Sequence, residues 1–153
     1  MDKLEFQKSL DCFAQVDVLV VGAGPAGIGA AVCAARNGAD VLVIEENGCV
    51  GGAATAALVG PFMTSFDARY EKMVIRGIFE EMVDRMVQEG GAIHPAKVPG
   101  RHPWSGFYKI GHDHVGPFDR ECFKLTATEM ILESGARLLL HTSFIDPVME
   151  GDR

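Results

Sequence analysis

The chain has 153 residues, of which 48% are hydrophobic, and its 14 Lys or Arg and 21 Asp or Glu residues give a formal net charge of −7. This charge disfavours nucleic acid and anionic membranes as partners, because a polyanion would be repelled. The sequence shows neither a signal-peptide pattern nor a run of about 18 apolar residues. Its 4 cysteines are scattered without a CxxC pair, which favours free thiols in a reducing cytoplasm.

The predicted elements divide the chain into four parts. Residues 1–15 form a lead segment whose apolar side chains (Leu4, Phe6, Leu10 and Phe13) are expected to pack beside the domain. Residues 16–60 form a βαβ unit with a glycine pair, 61–118 a helix plus an irregular cap on the substrate side, and 119–153 a helix and strand that return to the domain.

The βαβ unit is the strongest signal. The apolar run 16–21 predicts a strand, the pattern GxGxxG over Gly22–Gly27 predicts a tight turn, and 25–37 has helical spacing. A second strand over 41–45 ends in Glu45, an acid about 20 residues after the turn. This combination indicates a dinucleotide site, and its context disfavours the alternative of a βαβ unit that binds no ligand.

Each residue type in the turn has a physical reason. Gly22 permits the tight turn, Gly24 lets the backbone approach a pyrophosphate, and Gly27 allows the helix to pack closely on the strand. Pro25 suits a first helical turn, because an N–H at that position would have no acceptor within the helix and proline has none to leave unpaired. The free N–H groups of that turn, including that of Ala26, are predicted to face the phosphates at the positive end of the helix dipole.

Glu45 indicates whether the ribose of the dinucleotide carries a 2′-phosphate. At the carboxyl end of the second strand, its carboxylate is predicted to accept hydrogen bonds from both ribose hydroxyls. A 2′-phosphate would be repelled, so the expected cofactor has the unphosphorylated ribose of FAD or NAD.

The segment Glu46-Asn47-Gly48-Cys49-Val50-Gly51-Gly52-Ala53-Ala54-Thr55 resembles the extended motif of glutathione-reductase-type flavoproteins. Within that FAD/NAD(P)-binding superfamily, the chain is most similar to the FAD-dependent oxidoreductase family. The resemblance implies FAD as the cofactor, with Gly51, Gly52 and Ala53 along its diphosphate and Phe144 beside the adenine. The family often has a basic residue right after the ribose acid, to lie against the adenosine, and this chain departs from that pattern with Glu46 at the corresponding cofactor-binding position.

The positions of the cysteines disfavour the disulfide reductases among the members of this superfamily. Disulfide reductases of the superfamily carry two cysteines just after the glycine pair, whereas Cys49 precedes the pair and no second cysteine lies near it. A redox-active dithiol is therefore disfavoured.

An amphipathic helix is predicted over 71–89, where Val74, Ile78, Met82 and Met86 share one face. The irregular region 91–118 holds four of the five histidines. Three of them, His102, His112 and His114, are weak candidates for a catalytic base, and the alternative of surface histidines is favoured. A metal site is disfavoured, because His112 and His114 have no evident third ligand. No catalytic residue is assigned.

Beyond this region, a helix over 119–134 and a strand over 136–142 complete a Rossmann-like α/β unit with parallel strands in the order 3-2-1. A further strand is predicted over 144–149, with a hairpin tip at 150–153. The strand 16–21 is apolar throughout, so it is expected to be buried on both faces with a neighbour on each edge. No predicted element supplies the second neighbour, so the sheet is expected to be incomplete within this chain.

These features predict the amino-terminal part of a flavin-dependent oxidoreductase that holds the ADP moiety of FAD and acts on a small-molecule substrate. Its partner is expected to be the remainder of the flavoprotein or a second chain. Two alternatives stay open: a non-catalytic fragment or subunit that docks on another chain, and an NAD-binding dehydrogenase domain. The sequence also leaves open whether the chain forms a homo-oligomer.

Overall fold

The computed structural model describes residues 7–63, 65–98, 114–149 and 151. It has three strands, β1 (Val18–Val21), β2 (Val41–Ile44) and β3 (Arg137–Leu139), and three α-helices, α1 (Pro25–Arg36), α2 (Ile78–Gln88) and α3 (Arg120–Glu133). Helix α1 lies between β1 and β2 in the chain, and both α2 and α3 lie between β2 and β3. The strands form one parallel sheet in the order β1-β2-β3. The predicted Rossmann-like α/β fold and the strand order are confirmed.

The core lies on one face of this sheet. Val20, Val41 and Val43 pack against apolar side chains of α1 and α3, because alternate residues of a strand point to the same side. The β2 strand is buried along its whole length, whereas Leu19 and Val21 of β1 are 47% and 52% exposed. Burial of β1 on both faces was therefore a wrong prediction for the described residues, since β1 is an edge strand with one uncovered face.

Charged side chains join the three helices on their outer surface. Glu81 of α2 accepts hydrogen bonds from Arg36 of α1 (2.7 Å) and from Arg85 (2.8 Å), and Arg85 also pairs with Glu133 of α3 (2.7 Å). The hydrogen bond from Arg36, together with that from Arg85, lowers the pKa of Glu81 from 4.5 to about 2. The helices are thus connected by charge as well as by their apolar core.

The second helix begins later than its apolar spacing predicts. Gly77 has a φ of +70°, a left-handed conformation that ends helical geometry, and α2 starts only after it. Upstream of Gly77 the chain is extended, with Met73 bridged to Phe66 and the N–H of Val74 donated to the carbonyl of Ser65. The predicted start at residue 71, with Val74 on the helix face, is wrong.

Both ends of the described chain also differ from the predictions. Residues 144–149 form no strand, and Ile145 and Val148 are 85% and 90% exposed, because an apolar run needs a partner strand to become one and Pro147 lacks an N–H. Leu10 and Phe13 of the lead segment are exposed rather than packed. Of the hairpin tip predicted at 150–153, only Gly151 lies within the described residues.

Candidate functional site

The turn after β1 has the positive φ at Gly22 and the close contact at Gly27 that the sequence predicts. Gly22 has a φ of +94°, and its N–H donates to the carbonyl of Ile44 at 2.8 Å. A Cβ on Gly27 would collide with the carbonyl oxygen of Gly22, so a glycine is needed for α1 to start this close. Gly24 is different, because it has an ordinary φ of −70° and nothing lies within 4 Å of the place a Cβ would take. The fold leaves open space in front of Gly24.

The first turn of α1 presents free donors to that space. Gly24 is the N-cap residue and Pro25 is the first helical residue, and the first intrahelical bond runs from Ile28 N–H to the carbonyl of Gly24 at 2.9 Å. The N–H groups of Ala26 and Gly27 consequently have no acceptor within the helix. No acidic side chain lies in this turn, so the positive end of the helix dipole is available to an anion.

The glycine pair that follows β2 lies against this turn. The N–H of Gly51 donates to the carbonyl of Ala23 at 2.7 Å, and a Cβ on Gly52 would lie 3.1 Å from the Cα of Gly24. Thr55 holds the loop by donating its hydroxyl to a backbone carbonyl at 2.8 Å. The two glycine segments, distant in sequence, therefore form one continuous surface of backbone.

Glu45 lies at the end of β2 and is only 5% exposed. Its Oε2 accepts a hydrogen bond from Ala23 N–H (2.8 Å), and its Oε1 accepts from the backbone N–H (2.8 Å) and the side-chain Nδ2 (2.7 Å) of Asn47. Burial acts to raise the pKa of Glu45, but the hydrogen bonds from Asn47 and Ala23 outweigh it and lower the pKa below its usual range. The carboxylate is ionised and fixed, with part of its capacity of about four acceptor sites still free.

A cleft of about 330 Å³ opens at the carboxyl ends of the strands beside this carboxylate. It is lined by Val21, Gly22, Ile44, Glu45, Glu46, Thr142 and Phe144. The structure thereby brings together predicted site residues from three separate stretches of the chain. Thr142 was not predicted, although its position after β3 places it at this edge, and its N–H donates to the carbonyl of Glu45 at 2.9 Å.

A second cavity of about 400 Å³ adjoins the glycine surface at Pro25 and Ala53. Every residue that lines it within the described ranges is apolar, among them the ring of Phe62, which stacks on that of Phe118 at 4.1 Å. The cavity therefore offers no side chain for acid–base chemistry.

Of the predicted histidine candidates, His114 alone lies within the described residues, and it lines neither cavity. The Nδ1 of His114 lies 3.1 Å from the carbonyl oxygen of Pro95, and its ring stacks on Phe66 at 4.2 Å. His102 and His112 lie outside the described residues. Among the side chains that the structure describes, no three His, Cys, Asp or Glu residues are grouped as a metal site would need. No described helix has the length and apolar character required to cross a membrane.

The parallel sheet and the glycine-rich turn define the class, a Rossmann-like α/β protein. The model of the family described as FAD dependent oxidoreductase matches residues 17–153, and the chain belongs to this family. The membership confirms the predicted family and FAD as the indicated cofactor.

Three similar proteins illustrate how the chain relates to others. The thiamine thiazole synthase of Aeropyrum pernix is 33% identical over 148 residues, which are 97% of this chain and 45% of that protein. The soluble pyridine nucleotide transhydrogenase of Hahella chejuensis is 59% identical over 39 residues, 26% of this chain and 8% of the relative. A geranylgeranyl bacteriochlorophyll reductase-like protein of Thermoplasma acidophilum shares the fold with a TM-score of 0.51 and 22% identity, over 89% of this chain and 32% of the other. The chain thus spans less than half the length of either curated relative.

Proposed function

We propose that this chain holds the ADP moiety of FAD in a flavin-dependent oxidoreductase that acts on a small-molecule substrate. When bound, FAD supplies hydride or electron transfer at its flavin ring, and the chain's own residues bind and orient the nucleotide end. The N–H groups of Gly24, Ala26 and Gly27 would point at the pyrophosphate, and Gly51 and Gly52 would run beside it.

The observation that carries the proposal is the open space in front of Gly24. Steric contacts explain why Gly27 is a glycine, but nothing within the fold requires one at Gly24. An anion bound at the free N–H groups of the α1 first turn would fill that space and would explain the glycine. The glycine pair at 51–52 supports the same location, because it borders the space with backbone alone.

The cleft beside Glu45 supports the placement of the sugar and base. Its carboxylate keeps free acceptor capacity toward the cleft, which suits a ribose hydroxyl, while its negative charge would repel a 2′-phosphate. The half-exposed ring of Phe144 offers an apolar face for the adenine. Glu46 lies at the exposed rim of the same cleft.

The variant Gly24→Ala tests the proposal. The added methyl meets no protein atom and no backbone strain, so the ligand-free variant should be at least as stable as the wild type. The methyl would occupy the diphosphate's space, so we expect the Kd for FAD to rise at least tenfold, about 1.4 kcal/mol. Isothermal titration calorimetry with FAD measures the affinity, and urea unfolding measures the stability.

Gly29→Ala is the matched control, because its Cβ also meets nothing within 4 Å and it lies one turn further along α1. It should keep the wild-type affinity for FAD. The proposal fails when Gly24→Ala binds FAD as tightly as the wild type, or when both variants lose affinity equally.

We also propose that another segment, from the remainder of the flavoprotein or from a second chain, completes the sheet at β1. Two observations support it. The side chains of Leu19 and Val21 are half-exposed. The N–H groups of Val18 and Gly22 donate toward β2, so those of Leu19 and Val21 point to the other edge, where the described residues supply no strand. Amide exchange should be fast at Leu19 and Val21 and slow at Val20 in this chain alone. Exchange that is equally slow at all three would contradict an open edge.

A further inference from the structure

We propose that Asn47 is a positioning residue that clamps the Glu45 carboxylate against the glycine-rich turn and so sets the affinity for the ribose of FAD. The inference deepens the proposed function and rests on it, since it takes Glu45 as the ribose ligand. Asn47 itself does not line the cleft; it acts through Glu45.

The geometry of the clamp is specific. Both donors of Asn47, its N–H at 2.8 Å and its Nδ2 at 2.7 Å, go to the same oxygen of Glu45, Oε1. The other oxygen, Oε2, is thereby aimed at Ala23 N–H at 2.8 Å, inside the glycine-rich turn. The carbonyl of Asn47 accepts the N–H of His141 at 3.2 Å, so the clamp also ties the end of β2 to the chain after β3.

The side-chain amide of Asn47 has a role that packing does not explain. Asn47 is an exposed residue, so its removal creates no cavity in the core. The visible consequence of removing it is that Oε1 of Glu45 loses one of its two donors. A buried carboxylate with fewer donors is harder to keep ionised, and its rotamer is less firmly fixed.

The titratable and charged groups around Glu45 are few, so a change in its pKa on mutation of Asn47 can be assigned to the lost hydrogen bond. Glu46 is the other acid of the cleft and is exposed, and His141 contacts the clamp through its backbone. The first turn of α1 carries no acid and β1 is wholly apolar. The pair formed by Arg137 and Asp40 lies at the opposite end of the strands.

The pH dependence of binding distinguishes positioning from a merely structural role. Burial acts to raise the pKa of Glu45, and the hydrogen bonds from Asn47 and Ala23 more than offset it. Without the Nδ2 donor, the pKa of Glu45 should move up, so protonation should remove the ribose acceptor at a higher pH. A merely structural loss would weaken binding equally at every pH.

The test titrates wild type, Asn47→Ala and Asn47→Asp with FAD from pH 8 to pH 4, and follows the Glu45 carboxyl carbon by NMR in the ligand-free chain. We expect Asn47→Ala to bind FAD about threefold to tenfold more weakly at pH 8, the size of one net hydrogen bond. Its affinity should fall further as the pH drops, from a higher pH than in the wild type, with a matching shift in the carbon titration. Asn47→Asp should show a larger shift, because it puts a second carboxylate beside the first.

Asn37→Ala is the matched control, since its Nδ2 also donates one hydrogen bond, to the carbonyl of Cys33 at 2.8 Å, but at the end of α1 away from the cleft. It should leave both the FAD affinity and its pH profile unchanged. The inference is overturned when Asn47→Ala shifts neither the pH profile nor the Glu45 titration, or when Asn37→Ala has the same effect. Glu45→Gln distinguishes a failure of the proposed function from a failure of the role given to Asn47. Unchanged FAD affinity in Glu45→Gln would contradict the proposed function itself. Weaker FAD binding in Glu45→Gln, together with unchanged binding in Asn47→Ala, would contradict only the role of Asn47.

Discussion

Gly27→Ala tests how closely α1 approaches the turn after β1. A Cβ at this position would collide with the carbonyl oxygen of Gly22 and lie 3.4 Å from the Cγ1 of Val20. The obstacle is backbone, and the N–H of the same residue, Gly22, is bonded to the carbonyl of Ile44 at 2.8 Å. The turn therefore has little freedom to move aside.

The magnitude follows from two opposing effects. Overpacking of this kind costs about 1–3 kcal/mol, and a backbone obstacle favours the upper end of that range. Alanine recovers about 1 kcal/mol through its better helix propensity. We therefore expect a net loss of about 2 kcal/mol in the free energy of unfolding, which lowers the Tm by about 4–8 °C for a chain of this length.

Urea unfolding followed by circular dichroism measures this loss, with Gly29→Ala as the control in the same helix. The control should gain up to about 1 kcal/mol, since its Cβ meets no neighbour and only the propensity changes. The two substitutions are chemically identical, so their opposite signs isolate the contact with the turn. A Gly27→Ala variant as stable as the wild type, or a control that loses equal stability, would refute the reasoning.

Three further predictions concern the framework that holds the site. Glu81→Gln should lower the free energy of unfolding by about 1 kcal/mol at pH 7. Because folding lowers the pKa of Glu81 from 4.5 to about 2, this loss of stability should shrink as the pH falls below 4.5 and vanish near pH 2. The exposed Glu129→Gln is the control, and a loss of stability that does not depend on pH would contradict the ion pairs as its source. Thr55→Val should cost about 1–3 kcal/mol in urea unfolding, because the carbonyl of Val50 loses the hydroxyl bonded to it at 2.8 Å; an unchanged midpoint would exclude this bond as a support of the glycine pair. Asp119→Ala should cost about 1 kcal/mol, since its carboxylate caps the first turn of α3 at 2.8 Å, and a fully stable variant would show that the cap contributes nothing.

The parts of the fold that local chemistry determines could be predicted from the sequence. The order strand, glycine-rich turn, helix and strand depends on neighbouring residues, and β1, α1 and β2 lie within the predicted ranges. The close contact at Gly27 followed from the same local pattern. The family resemblance singled out the glycine pair, which the structure places against the glycine-rich turn.

The parts that depend on distant partners could not be predicted. The run 144–149 has the composition of a strand, but composition supplies no neighbour to pair with. Val74 fits a helical period that the left-handed φ of Gly77 interrupts, and a single sequence does not reveal that angle. The contacts of Thr142 and Asn47 with Glu45 were missed because they involve ordinary polar residues in loops, which carry no spacing signal.

Competition between FAD and its two halves tests the central claim most directly. If this chain holds the ADP moiety, ADP should displace FAD in an equilibrium titration, while riboflavin 5′-phosphate, which lacks that moiety, should leave FAD bound. Gly24→Ala should lose ADP and FAD binding together. Displacement by riboflavin 5′-phosphate but not by ADP would contradict the account, as would a chain that binds neither FAD nor ADP.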